Sequence, residues 1–521
     1  MRKLGEGKTW ILAAAALLAA LVVAAVVLAR ESGPSARNAE KATGSELAEP
    51  PGEAEVGEEG EEEGGPRAGA EEVQEEANVT AERLEALAQA KASGKFGGKV
   101  AVTSSPATGW VGSRLLNPTT DDWEPAIATD PSAPYVYLIT TRYGEPKTCS
   151  SHCPTPYIAM TVSADGGSTW GPQVPLCVCR GSKAQYDPTI EVVPSTGAVY
   201  AVFLNADRAG GFSTVFMKST DHGATWTEPV HVYGKVSWTD KPEVTMSRSG
   251  KDVYVSWNGP QGGDLYVGQS HDYGATWTQQ KLTSSKRYYY AYDARVLSDG
   301  TVVFSESSIV YSGSTSVQGD VWHHAIISRD HGGSWENVVV AKVPVGETCV
   351  AAGCNPDFYI GQTSVVEDSP GNLVFAYEGP SVADGPQRVY VSTSSDGGRT
   401  WSAGAALSVA GEDATQPRLA SAGGGDARIW YMQTANGDDP DAWNVWYRTS
   451  SNGGRSWSSP VKIDDASASA HAPEYVNADG FDEIYGDYGE IAVTSTGKTI
   501  ATWGEGFSWI GPGGTWFNVQ R

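Results

Sequence analysis

An eight-residue phrase, Ser163-Ala164-Asp165-Gly166-Gly167-Ser168-Thr169-Trp170, constrains this chain more than any other feature, because it is written six times. Further copies begin at Ser219 (STDHGATW), Ser270 (SHDYGATW), Ser328 (SRDHGGSW), Ser394 (SSDGGRTW) and Ser450 (SSNGGRSW). The shared rule is Ser-x-Asp-x-Gly-x-Thr/Ser-Trp. Its third place holds Asp165, Asp221, Asp272, Asp330, Asp396 and, once, Asn452. Starts 51 to 66 residues apart have the spacing of a propeller blade or another large repeat.

The phrase reads as a turn with an anchor. An Asp followed two places later by Gly is turn chemistry: the carboxylate accepts backbone N–H bonds and Gly supplies positive φ. The Ser and Thr hydroxyls close the same turn. The Trp starts the next strand and plugs the gap between neighbouring sheets. These acidic residues are therefore structural. The pattern resembles the Asp-box, or BNR, repeat of the sialidase (neuraminidase) superfamily and related propeller glycosidases. The resemblance implies an all-β β-propeller and an exo-acting glycan hydrolase.

From Gly97 onward the texture is short alternating strands, four to a repeat, with each box between the third and fourth. A final stretch, DYGEIAVTSTGKTIATWGEG then GGTWFNVQR, supplies three strands of a seventh repeat that has no box. The early segment Gly98-Lys99-Val100-Ala101-Val102-Thr103 is the candidate fourth strand, closing the ring and removing its edges. The expectation is seven four-stranded antiparallel blades over residues 97–521; six, the number in sialidases, is the alternative.

What precedes is different material. Residues 1–9 carry Arg2, Lys3 and Lys8, and residues 10–29 (WILAAAALLAALVVAAVVLA) are apolar. Twenty apolar residues span a bilayer, and basic residues before them favour a cytoplasmic N-terminus. We read an uncleaved signal anchor, with a signal cleaved after Val27-Leu28-Ala29 as the alternative. Either exports the rest. Residues 30–96 are an acidic Glu/Gly/Ala-rich linker: from Glu46 to Glu85 there are fifteen Glu against two Arg. Such a segment repels itself and stays extended, with a solvated helix plausible over Glu71–Lys91. The formal charge of −25 argues against nucleic acid, which needs a basic stripe to neutralise phosphates.

Six cysteines, at 149, 153, 177, 179, 349 and 354, in an exported chain argue for disulfides. All fall in loops on the face opposite the boxes. The expected pairing is two bridges between the Cys149/Cys153 and Cys177/Cys179 pairs, plus Cys349–Cys354; a zinc site from the first four is the alternative.

Chemistry is expected at that opposite face, where inner strands ring a channel. Aligning the repeats gives a first ring of Glu124, Asp187, Asp240-Lys241, Asp293, Gln362, Gln416 and Asp487-Tyr488. The ends of the second strands give another: Arg142, Asn205, Asn258, Glu306, Glu378, Gln433 and Glu505. Glycoside hydrolysis needs one carboxyl of raised pKa as acid and another as base or nucleophile. Asp187, Asp293, Glu306, Glu378 and Glu505 are the candidates, with Glu124, Arg142, Asp240, Arg295, Gln362, Gln416 and Asp487 binding substrate.

Sialidases hold the substrate carboxylate with three arginines, use a Tyr–Glu pair as nucleophile and protonate through an Asp. Arg142, Arg295 and Arg418 are the arginines able to face the channel, and Tyr485 or Tyr488 lies late in the chain as that nucleophile does. The family's first arginine sits in a Tyr/Phe-Arg-Ile-Pro motif. The nearest stretch here, Ser113-Arg114-Leu115-Leu116-Asn117-Pro118, has the wrong spacing and no aromatic.

Together these features point to a membrane-tethered, monomeric, sialidase-like glycosidase that needs no cofactor. A glycan- or protein-binding propeller, a neutral-glycan glycosidase with paired carboxylates, and a propeller whose carboxylate ring takes Ca2+ are the alternatives.

Overall fold

The computed structural model describes residues 84–85, 88–89, 91–93 and 106–521, the last apart from 180, 208–211, 234–238, 260–262, 313–315, 346–360, 384, 435–442, 465–488 and 507–512. The expected anchor at 10–29, most of the linker, Cys349, Cys354, Tyr485, Asp487 and Tyr488 lie outside the described residues, as does the side chain of Glu505. Among the described residues no helix is long and apolar enough to cross a membrane. Helical turns at 84–85, 88–89 and 91–92 carry an i,i+4 bond from Gln89 to Glu85.

Seven four-stranded antiparallel sheets follow. Blade 1 comprises Asp121–Thr129, Val136–Tyr143, Tyr157–Ser163 and Val174–Pro175, hydrogen-bonded in that order. The inner strands of blades 2 to 7 are Ser182–Val192, Asp240–Met246, Tyr288–Val296, Thr363–Ser369, Ala414–Gly423 and Gly489–Val493. Second strands are buried on both sides because each blade face is covered by a neighbour, so Val136–Tyr143 alternates nothing and is buried throughout. Each seam has its own apolar core. Val193, Phe216, Val244 and Trp257 fill that between blades 2 and 3.

Blade 7 takes Thr499–Gly506 and Gly513–Val519 as second and third strands, and its fourth is Arg114–Leu115. Closure by an N-terminal strand is as expected; the strand is Arg114–Leu115, and Gly98–Thr103, the segment expected in that place, lies outside the described residues. Two residues suffice because Trp110 bridges Gln520 and packs in the seam core beside Trp430, Trp503 and Trp516.

Every box folds alike. Ser219 Oγ donates to Asp221 Oδ1 (2.8 Å) and accepts the Gly223 N–H (2.9 Å), while Asp221 accepts the Thr225 N–H (2.8 Å) and hydroxyl (2.6 Å). The Thr225 hydroxyl and N–H hold the Asp221 carboxyl down at about 2, and Thr276 does the same for Asp272. Where Asn452 replaces Asp, its Nδ2 donates to Ser456 Oγ (2.8 Å), reversing one bond and keeping the turn. The box glycine has a second duty besides positive φ. A Cβ on Gly274 (φ +78°) would stand 2.2 Å from the Phe216 ring of the preceding blade.

The cysteines pair differently from expectation. Cys149 bonds Cys153 and Cys177 bonds Cys179, with Cα separations of 5.8 and 5.1 Å. Each is a local clasp in its own loop, so no bridge joins the two loops, and all four thiols are used. Both loops lie at the strand ends opposite the box, since Ser163 pairs with Val136 at one end and Tyr157 with Arg142 at the other.

Candidate functional site: an acidic propeller mouth

At the mouth, the inner strands of blades 1, 2, 3 and 6 share one device. Glu124, Asp187, Lys241 and Gln416 each precede a proline and sit at φ of 51°, 49°, 44° and 54°. L-residues seldom adopt this region, and strain of order 1 kcal/mol accompanies each. The ladder skips there, between Trp123 and Ala126, Tyr186 and Thr189, Asp240 and Glu243, and Thr415 and Arg418. Such bulges re-aim side chains. Blade 4 has its own skip, between Ala291 and Asp293. Five of the seven first-ring positions thus sit at bulges.

Side chains on a strand alternate, so the positions two further on, Ala126, Thr189, Glu243, Arg295, Ser364, Arg418 and Glu490, form a second tier. Here the charges meet. Arg295 contacts Asp293 above it (2.7 Å) and Glu191 of blade 2 across the channel (3.3 Å). The Arg295 and Glu191 side chains keep 30% and 34% of their surface although protein encloses them, as groups lining a water-accessible channel do. Burial, reinforced by Asp293 and Glu490, pushes the Glu243 carboxyl well above the usual carboxylate range. Burial raises Glu490 to about 8 against the Ile127 N–H that favours its charge. Glu191, Glu243 and Glu490 were not among the sequence candidates. Stepping two residues from the first ring would have found Glu243 and Glu490.

Many mouth carboxylates also latch one blade to the next. The Ile127 N–H donates to Glu490 Oε2 (2.6 Å), that of Asp187 to Glu124 Oε2 (3.1 Å), and that of Lys241 to Asp187 Oδ2 (3.1 Å). Asp293 Oδ2 accepts from Val365 N–H (3.0 Å) and Ser364 Oγ (2.6 Å) of blade 5. Glu378 Oε2 accepts from Gln416 N–H (2.9 Å) and Thr415 Oγ1 (2.8 Å) of blade 6. Arg418 Nε donates to the Gly489 carbonyl of blade 7 (2.6 Å).

The described side chains of the second ring do not face the channel. Its residues lie on second strands, whose two faces look at neighbouring blades, so the structure places Glu306 and Glu378 in the seams, each fully buried. Burial raises Glu378 to about 8 and Glu306 well above the usual range. Asn205 accepts from Ser182 and Gln433 from the Val409 N–H. Neither Glu306 nor Glu378 reaches a substrate at the mouth from these positions.

Nor do the arginines converge as a free triad. Arg142 grips Asp122 bidentately (2.6 and 2.9 Å). Arg295 is held by Asp293 and Glu191, and Arg418 by Gly489 O and Gln362 Oε1 (2.9 Å). Gln362 and Gln416 are nearly fully buried, while Glu124, Asp187 and Asp240 retain a little surface. Asp187 stands out: Oδ2 is pinned by Lys241, and Oδ1 has no hydrogen-bond partner among the described residues. Those residues include no group of three or more His, Cys, Asp or Glu placed to hold a metal ion, so the Ca2+ and zinc expectations find no site among them. A groove on the box face, lined by Arg114, Asp165, Lys498 and Arg521, is remote from this chemistry.

No protein-family model matches the chain, and no curated protein does. Solved structures similar to it include a Hadza microbial sialidase (14% identity, TM-score 0.41, covering 71% of this chain and 74% of that one). The Trypanosoma rangeli sialidase is 13% identical (TM-score 0.39, 77% and 55% covered). An ulvan lyase of a new polysaccharide-lyase family is 10% identical (TM-score 0.44, 78% and 96% covered). Likenesses at these values carry no functional argument. The seven-bladed architecture rests on the strand pairing itself.

Proposed function

We propose that this protein is an exported, membrane-tethered glycoside hydrolase whose site is the mouth opposite the boxes, acting on neutral glycans through paired carboxylates. One observation carries the reading: consecutive blades bring Glu124 and Asp187 to the mouth on strained bulges, with a neutral carboxyl beneath. Asp187, held by one oxygen and open at the other, is the base or nucleophile. Glu243 lies two residues beyond the Lys241 amide that pins Asp187. Burial, with Asp293 and Glu490 beside it, raises its pKa, the direction required of the acid that donates to the leaving oxygen.

Neutral sugars are favoured over sialosides because Arg142, Arg295 and Arg418 are all engaged with protein partners and the arc Glu124–Asp187–Asp240–Asp293 repels an anion. The apolar stretch at 10–29 and the acidic linker support tethering outside the cell.

The test is a screen of the purified protein on fluorogenic neutral glycosides and sialosides. Turnover of a neutral glycoside should fall about 10²–10⁴-fold in Asp187→Asn and comparably in Glu243→Gln. Sialoside turnover that survives both changes overturns the assignment. Glycan binding without turnover would make the mouth a binding module.

A further inference from the structure

We propose that the seam between blades 3 and 4 binds a monovalent metal cation, held by the Glu306 carboxylate, Asn258 Oδ1 and Ser256 Oγ. Alternation along the two second strands brings these groups together. Tyr254 shares its face with Ser256 and Asn258, Val302 and Phe304 share theirs with Glu306, and all three apolar residues meet in one seam core. Ser256, Asn258 and Glu306 therefore project into that seam from opposite sides. All three are fully buried, and Ser256 is the polar neighbour nearest enough to influence Glu306.

Among the described residues nothing satisfies them. Both Glu306 oxygens, both Asn258 amide atoms and Ser256 Oγ lack a hydrogen-bond partner, the Ser256 hydroxyl missing the geometry of a bond to Glu306. Native interiors seldom leave even one such atom unpaired, and each orphan is unfavourable by about 1–3 kcal/mol. Five together mark an occupied space.

The donor set identifies the occupant's class. Four of the five atoms are oxygens and none is sulfur or imidazole, which suits a hard cation. One carboxylate balances one positive charge; a divalent ion would leave a buried unit charge, which is strongly unfavourable. The neighbouring polar groups complete their own bonds: Ser308 Oγ meets Arg287 and His324 (both 2.7 Å), and His324 Nδ1 meets Asn337 Oδ1 (2.7 Å). They do not compete for the ion.

Thermal melts in sodium, potassium and choline chloride at equal ionic strength test this. Sodium or potassium should raise Tm above choline by about 3 °C or more at saturation, and Glu306→Gln should abolish the difference. Asn258→Asp adds a second carboxylate and should turn the preference to calcium, a result that decides the matter even if Glu306→Gln fails to fold. Identical melts in all three salts for the wild type, or an undiminished sodium or potassium shift in Glu306→Gln, would overturn the proposal and assign the space to water.

Discussion

The two faces of the propeller use the same residue types in opposite ways. On the box face, acidic side chains bond backbone within four residues of themselves, as Asp221 does with Thr225, and stand in water. At the mouth, acidic side chains bond the next blade, as Asp187 does with Lys241 across 54 residues of sequence, and lie inside. Hydrogen bonds to the charged form pull the first set down, to about 2 for Asp221 and Asp272. Desolvation pushes Glu490 of the second set up to about 8, and does the same to Glu378 in the seam behind the mouth. Environment alone makes one carboxylate a permanent anion and another a neutral acid.

The largest expected effect attacks the box face where it leans on its neighbour. Gly274→Ala forces a Cβ into Phe216 at positive φ and should lose about 3 kcal/mol or more in chemical denaturation, while leaving mouth chemistry unchanged per folded molecule. Next is a latch. Glu378→Ala strands the Gln416 amide and Thr415 hydroxyl and should lower stability by about 2–4 kcal/mol, whereas Glu378→Gln, which keeps an acceptor, should recover most of it.

The pH dependence separates the faces directly. Box carboxylates with lowered pKa contribute above their unfolded value near 4 and lose that contribution as pH falls toward 2. The exposed boxes contribute little each. Glu378 and Glu490, with raised pKa, contribute fully below their unfolded value and lose it as pH rises through about 8. Tm should therefore decline on both limbs, and Glu378→Gln should flatten the alkaline one alone; an unchanged alkaline limb would break the contrast.

The smallest effects are on the box face. Tyr273, exposed and at φ 65°, should gain about 0.5–1 kcal/mol on change to Gly through released strain. Asn452→Asp should stay within about 0.5 kcal/mol, because Ser456 Oγ need only turn its hydrogen.

Legibility follows the same division. The boxes could be read because each closes on itself within a few residues and is then repeated, so six copies gave spacing and face, and the seventh blade, which has no box, had to be read from its strands. The first ring was visible through its prolines. The roles were not, because whether Asp293 binds a ligand or the Val365 amide depends on a partner 72 residues away. Glu306 and Glu378 seemed equivalent to mouth residues because they end apolar strands; the identity of the strand, second rather than first, decides which way they face. The closing strand was assigned to Gly98–Thr103 for its alternation. Arg114–Leu115 has too few residues to show any, and its place is set by Trp110 and by partners at the far end of the chain. The cysteine spacing likewise could not say whether the two loops are joined or each clasped alone.

That closing strand is also the route by which the propeller is attached to everything N-terminal of it. Arg114 donates to the carbonyls of Gly167 and Ser168 (both 3.1 Å) and lies over the Phe517 ring (4.6 Å), riveting the first box to the last strand. Entering from the N-terminal side, the chain meets the last strand first at Trp110, which bridges Gln520, then at Val111, whose N–H donates to Val519 O, and only then at this rivet. The first and last strands of the ring are thus joined by a run of contacts from Trp110 to Leu115, so the seal is spread along the chain and does not depend on one arginine.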